Sequence, residues 1–256
     1  MFLYLGGVVT RERADTPATA REAARAFGAF VRLLADCPAR TLHQTIPGFH
    51  DTEKRLTDLE AAARRDACGR AAGALADIRA ILEERAIADV LPPLVADGEI
   101  PLRVVHNDAK IANVLFDGRT GAAACVIDLD TVMPGVVLHD FGDMVRSMAS
   151  PTDEDEPDTG RVEARPEFVE ALAEGFLAEA GTELTATERR LLVFAGRLIT
   201  LEQAARFLTD HLDGDRYYRT ARTDHNLHRA RSQIALYRSL KKQEPALAAL
   251  LARLAP

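Results

Sequence analysis

Between Leu102 and Leu129 the sequence changes its period, and that change limits what the chain can fold into. Three short β-type runs, Leu102–Val105, Asn113–Phe116 and Ala124–Leu129, sit close together, the last two joined at Asp117-Gly118. An Asp-Gly pair between apolar runs is a hairpin signal. On both sides of this segment the apolar residues return at helical three-to-four spacing. Upstream, a short strand over residues 1–9, interrupted at Gly6-Gly7, precedes a helix that starts at Thr16-Pro17 and carries Ala24, Phe27, Phe30, Val31 and Leu34 on one face. Cys37-Pro38 stops it, since proline cannot continue the hydrogen-bond ladder. A loop over Thr41–Asp51 leads to a second helix, Glu53 to Arg65, capped by Asp51-Thr52. A third follows through Ala72, Leu75, Ile78, Ile81 and Leu82, and Leu91-Pro92-Pro93 reads as a break. Downstream of Pro134-Gly135, helices are expected up to the acidic loop Pro151–Gly160, and then over Pro166–Ala180, Ala186–Leu212 and Asn226 to the end. The expectation is an α+β, mainly α-helical fold with a small β insert, without internal repeats or a long linker.

Composition removes several classes of partner. With 256 residues and 47% hydrophobic side chains, the chain can bury a core. Its net charge of −7 argues against nucleic acid or an anionic membrane, which are held by clustered excess cations. Cys37, Cys68 and Cys125 are dispersed, as buried thiols in a reducing compartment are. No apolar run approaches the ~18 residues of a membrane span. The apolar opening has no basic residue before it and does not read as a signal peptide. A cytoplasmic protein is expected.

The β insert carries the chemistry. His106, Asp108, Lys110 and Asn113 form an H-x-D-x-K-x-x-N string between two strands, and Asp128 follows the next apolar run. Phosphoryl transfer from Mg-ATP needs these residue types, because its transition state is stabilised by positioning and by cations around dispersed negative charge. Asp108 is the candidate base that orients the attacking hydroxyl and accepts its proton. Asn113 and Asp128 are candidate Mg²⁺ ligands, and Lys110 reaches toward the γ-phosphate or is a solvated surface lysine. His106 is expected to organise the loop, by analogy with the kinase H-R-D motif. Asp130, at i+2 on the same strand face as Asp128, either touches a second metal or is solvated. Asp140-Phe141-Gly142 spells the metal-binding tripeptide of protein kinases but lies too far beyond Asp108. Asp128 takes the metal role, and Asp140 and Asp143 cap helix starts or brace the loop.

The His106–Asn113 loop with Asp128 resembles the aminoglycoside phosphotransferase and choline kinase superfamily, whose fold is protein-kinase-like. Longer strings, Thr41–Thr52, Val126–Gly135, His139–Asp143 and Arg206–Tyr218, are similar to the N-acetylhexosamine 1-kinases. That resemblance implies ATP as cosubstrate with Mg²⁺, and an amino-sugar acceptor phosphorylated on its anomeric hydroxyl. It implies sugar contacts from Arg206 and Tyr217. Read by themselves, Arg206 is equally a partner for Asp210 at i+4, and Tyr217 an amphipathic residue packed at a helix end. Two other functions stay open: an aminoglycoside or other small-alcohol kinase, and a non-catalytic remnant that binds a sugar or a partner chain. Superfamily members carry an N-terminal β lobe with a phosphate loop and a strand lysine. Here residues 1–10 read as the hinge and 11–256 as the C-terminal lobe, no lysine precedes Lys54, and the N-terminal lobe is expected to be absent. Impaired turnover and self-association through the uncovered surface are the expected consequences.

Overall fold

The computed structural model describes residues 4–254, so the first part of the hinge-like segment, residues 1–3, lies outside the described residues. Helix dominates, with two small antiparallel sheets. In chain order the elements are β1 (Val8–Val9), α1 (Pro17–Leu33), α2 (Thr52–Arg65), α3 (Leu75–Leu82), α4 (Leu91–Ala96), β2 (Arg103–Val105), β3 (Val114–Asp117), β4 (Ala123–Val126), β5 (Met133–Gly135), α5 (Val137–Met148), α6 (Pro166–Ala180), α7 (Ala186–Arg190), α8 (Leu192–Leu212) and α9 (His225–Leu251).

Local signals account for most of the boundaries. The Thr16 hydroxyl accepts from the Thr19 N–H ahead of Pro17, and the Asp51 carboxylate accepts from the Lys54 N–H, so α1 and α2 begin on side-chain caps. The apolar stripe of α1 buries Ala24, Phe27 and Val31. Helix α8 is buried around most of its circumference and runs through the middle of the molecule, touching α2, α5 and α9. Among the described residues, no helix is long and apolar enough to cross a membrane.

Two expectations are corrected, and two details of the β insert are added. Leu91-Pro92-Pro93 opens α4 instead of breaking a helix, because proline in a first turn loses no intrahelical bond. The run Ala186–Leu212 is two helices, parted at Leu191. The hairpin signalled by Asp117-Gly118 forms, β3 pairing antiparallel with β4, through a loop longer than two residues. The Asp117 carboxylate accepts from the N–H groups of Arg119 and Thr120, and Gly121 supplies the positive φ of 73°, which makes a longer loop. Met133–Gly135, for which the sequence suggested no element, is a strand: it pairs with β2 in register Arg103 to Gly135 and Val105 to Met133. Pro134 is tolerated there because a two-stranded sheet consists of edges. A Cβ at Gly135 would lie 2.5 Å from the Val105 side chain and 3.3 Å from Asn107 Oδ1, so only glycine lets β5 close on the residues that follow β2.

The sheets share the insert. Strand order β1-β3-β4 forms one and β2-β5 the other. The connection from β2 to β3 therefore bridges two sheets, and it contains His106 to Asn113.

Candidate active site

The bridging loop is held by main-chain hydrogen bonds. Asn107 adopts a left-handed conformation with φ of 64°, a strained choice for a residue with a side chain. Asp140, in the first turn of α5, compensates: its fully buried carboxylate accepts the N–H of His106 at 2.8 Å and of Asn107 at 2.6 Å. Thr131 donates its hydroxyl to the His106 carbonyl, 2.7 Å, and its own carbonyl accepts from the Asn107 amide, 3.0 Å. The buried His106 ring packs against the edges of Phe27 and Phe30. Its Nδ1 accepts the Asp108 N–H at 3.3 Å, so Nε2 carries the proton and donates to the Ile127 carbonyl at 2.9 Å. The Ile127 N–H in turn donates to the Asn113 carbonyl, 2.9 Å. Asp128 is thereby tied to the loop on both sides of the preceding residue.

Three expected site residues converge within this loop. Lys110 Nζ lies 2.7 Å from Asp108 Oδ2, and Asn113 Nδ2 donates to the same oxygen and to the Asp108 carbonyl, both at 2.8 Å. Burial pushes the Asp108 carboxyl up. The Lys110 ammonium and the Asn113 amide outweigh it and hold Asp108 below the usual carboxylate range. Burial likewise pulls Lys110 down while Asp108 raises it, with a net rise, so both are charged at neutral pH.

Asp128 also has a positive φ, 66°, and is exposed, with no cation paired to it among the described residues. Asp108, Lys110, Asp128, Asp130 and Asp143 line one cleft of about 490 Å³. Among the described residues no three His, Cys, Asp or Glu side chains form a self-sufficient metal cage. An exposed aspartate without a protein cation suits Mg²⁺, which completes its octahedron with water and phosphate oxygens, whereas Asn113 is buried and its amide nitrogen is engaged by Asp108. The geometry behind Asp130 is corrected: β4 ends at Val126 and residues 129–131 are a 3₁₀ turn, so the alternation that put Asp130 on the face of Asp128 does not apply. Asp130 still faces the cleft, from the turn.

The other wall of the cleft is aromatic and cationic. Arg206, on α8, stacks over Phe49 at 5.1 Å and Tyr218 at 5.8 Å and donates to Gln203. It does not pair with Asp210. That buried carboxylate accepts the N–H groups of Arg216, Tyr217 and Tyr218 and the amide of Asn226, folding the segment after α8 against the cleft. Tyr217 lines the cleft but is 71% exposed, whereas Tyr218, bonded to Gln203 and packed on Phe207, forms the ordered part of the wall. Sequence reasoning named Tyr217 and missed Tyr218, and the three N–H bonds to Asp210 carry no signal in the string itself.

The tripeptide Asp140-Phe141-Gly142 sits inside α5 with structural duties. Phe141 is core, and Gly142 lets α5 approach α8 so closely that a Cβ would collide with the Ala195 carbonyl. Neither Asp140 nor Asp143 caps the start of α5, whose N-cap is Val136. Asp143 makes no hydrogen bond or ion pair to the loop, although its charge acts on Lys110. It holds the buried Arg146 at 2.6 Å, and Arg146 also pairs with Glu154 across the cleft floor.

A buried pair beside the loop went unpredicted. His50, at the end of the Thr41–Asp51 loop, contacts Glu202 of α8 and the Asn107 carbonyl, and its ring lies 4.7 Å from that of His139. Burial and the neighbouring His50 charge push His139 down to about 3. Burial raises Glu202, but His50 and Thr52 outweigh it and hold it at about 2. A histidine kept neutral in the folded state binds fewer protons than in the unfolded chain. Its stabilising effect is therefore complete above the ordinary value of 6.5 and is lost as pH falls toward 3. Glu202 adds a loss in the same direction below about 4.5. The His139 contribution by itself should lower stability in urea unfolding from pH 7 to pH 4 by on the order of a few kcal/mol, against His50, raised by Glu202, and Asp140, raised by burial, which act in the opposite sense. His139→Gln should flatten the upper part of that slope. An unchanged slope in this variant would show that His139 is not the group responsible.

Comparison with known proteins fits this geometry. A model of the phosphotransferase enzyme family (APH) matches residues 2–191, which includes the loop, Asp128 and Asp140. Among solved structures, the chain is similar to a microcompartment-associated aminopropanol kinase, with 16% identity, a TM-score of 0.49, and coverage of 96% of this chain and 68% of that one.

Proposed function

The chain belongs to the phosphotransferase enzyme family, and we propose that it transfers the γ-phosphoryl group of ATP to the anomeric 1-hydroxyl of an N-acetylhexosamine. The observation that carries the phosphotransfer reading is the Asp108 carboxylate, held between Lys110 and Asn113 in the cleft that Asp128 also lines. In this reading Asp108 accepts a hydrogen bond from the acceptor hydroxyl, so that a lone pair of the hydroxyl oxygen faces the γ-phosphorus, and takes the proton as the new O–P bond forms and the bond to the β,γ-bridging oxygen breaks, releasing ADP. Lys110 bridges Asp108 and the transferring group. The transition state is loose, so orientation and countercharge matter more than base strength, and a carboxylate with a depressed pKa suffices. Asn113 Oδ1 and Asp128 would hold Mg²⁺, which when bound neutralises charge on the phosphate oxygens.

The wall of Phe49, Arg206, Tyr217 and Tyr218 supports a sugar acceptor. Aromatic faces suit the apolar face of a pyranose ring, and Arg206 is a donor for an acetamido carbonyl. The cleft pairs Asp108, Asp128, Asp130, Asp143 and Glu154 with Lys110, Arg146, Arg206, Arg219 and Arg229, so it lacks the excess of carboxylates that would draw a polycationic aminoglycoside. The test is product formation from Mg-ATP with N-acetylhexosamines, plain hexoses and aminoglycosides. A sugar 1-phosphate from the N-acetylhexosamines is expected. Aminoglycoside phosphorylation would transfer the assignment to that class, and no product with any acceptor would refute the kinase reading.

A further inference from the structure

We infer that His50 is a positioning residue for the catalytic loop: paired with Glu202, it grips the Asn107 carbonyl and so sets the direction of the Asp108 side chain. The peptide unit between Asn107 and Asp108 is planar, so fixing its oxygen and its N–H fixes the plane. Two histidines do this from opposite edges. His50 Nε2 lies 3.0 Å from the Asn107 oxygen, and His106 Nδ1 accepts the Asp108 N–H at 3.3 Å. A carbonyl can only accept, so His50 Nε2 carries a proton.

The other ring nitrogen, Nδ1, lies 2.8 Å from Glu202 Oε1, while Thr52 donates to Glu202 Oε2 at 2.7 Å. The His50 side chain is 6% exposed and that of Glu202 1%. The ring is thus an imidazolium with both donors used, buried against one carboxylate. Asp143 and, further off, Asp140 add negative charge around it, and neutral His139 lies beside it. Burial opposes that charge, yet the carboxylates win and His50 stays above its ordinary value. An ion pair so enclosed is a poor source of net stability, since desolvation offsets most of the attraction. What it supplies here is a rigid donor at the one carbonyl adjoining Asp108, anchored to the central helix α8 and the first turn of α2.

Two substitutions separate positioning from packing. In His50→Asn the amide nitrogen falls where Nδ1 was, keeping a partner for Glu202 and losing the bond to Asn107. In His50→Gln the amide nitrogen falls where Nε2 was, keeping the loop bond. The turnover arm rests on the proposed phosphotransferase activity: His50→Asn should lower kcat by roughly 10²-fold with KM values little changed, as an ångström-scale misplacement does, and His50→Gln should restore most of it. The second arm needs no turnover. Amide hydrogen exchange at Asn107 and Asp108 should quicken at least about tenfold in His50→Asn and stay near the parent rate in His50→Gln. The reverse order, with the Gln variant looser, would assign His50 to packing alone and overturn the inference, as would equal rates in both. A parent protein without turnover would refute the proposed activity and leave the exchange result to decide the clamp.

Discussion

Asp108→Asn is expected to lower phosphoryl transfer by roughly 10²–10⁴-fold, the usual contribution of a positioned general base, with unfolding stability nearly unchanged. The substitution is nearly isosteric, and Lys110 and Asn113 keep an oxygen to bond. On the proposed reading, what disappears is the charge that orients the acceptor hydroxyl and the site that takes its proton. Because Lys110 and Asn113 hold the Asp108 carboxyl low against its burial, the active ionised form persists well into acid. The parent rate should accordingly stay flat on the acid side of neutrality until Asp108 or the fold titrates. Lys110→Ala removes the main opposing influence and should move that acid limb toward higher pH. Steady-state kinetics between pH 5 and 8, beside urea melts of each variant, check both statements. If Asp108→Asn retains more than about a tenth of parent turnover, Asp108 is not the base.

Asp140→Asn should show the opposite partition, with stability and activity falling together. Both oxygens of the buried Asp140 carboxylate accept main-chain N–H groups, from His106 and Asn107. An amide offers one acceptor and turns a donor toward the other N–H. The variant therefore loses a charge-assisted bond and strands a buried donor, which together cost about 3–5 kcal/mol. The left-handed Asn107 depends on those bonds, so the loop is expected to relax and turnover to fall with it. Urea unfolding gives the first quantity and hydrogen exchange across 106–110 the second. A stable variant with an unaltered loop would show that Thr131, His50 and Gly135 suffice to hold it.

Much of the site was legible because its central contacts are local. Asp108, Lys110 and Asn113 lie within five residues, so the three side chains are within reach of one another, while Asp140, Thr131 and His50 fix the shape of the loop that joins them. The same holds for the Asp51 cap on α2 and the apolar stripe of α1, which depend on neighbours three or four positions away. Strand β5 was not legible. Its proline and glycine are turn residues by propensity, and they pair with β2 only because that two-stranded sheet has open edges and no room for a Cβ at residue 135.

Asp140 shows the dividing line. Its identity drew attention through a tripeptide that belongs to the metal sites of protein kinases, whereas its duty is to receive two N–H groups from more than thirty residues upstream. His50 and Glu202, 152 positions apart, gave no sign at all. Residue type and short spacing state which chemistry a loop is able to perform, since covalent geometry limits where near neighbours can reach. Which distant carboxylate or imidazolium holds that loop still depends on helix packing, because a hydrogen bond's few ångströms of reach are met only after α2, α5 and α8 have closed around a common core.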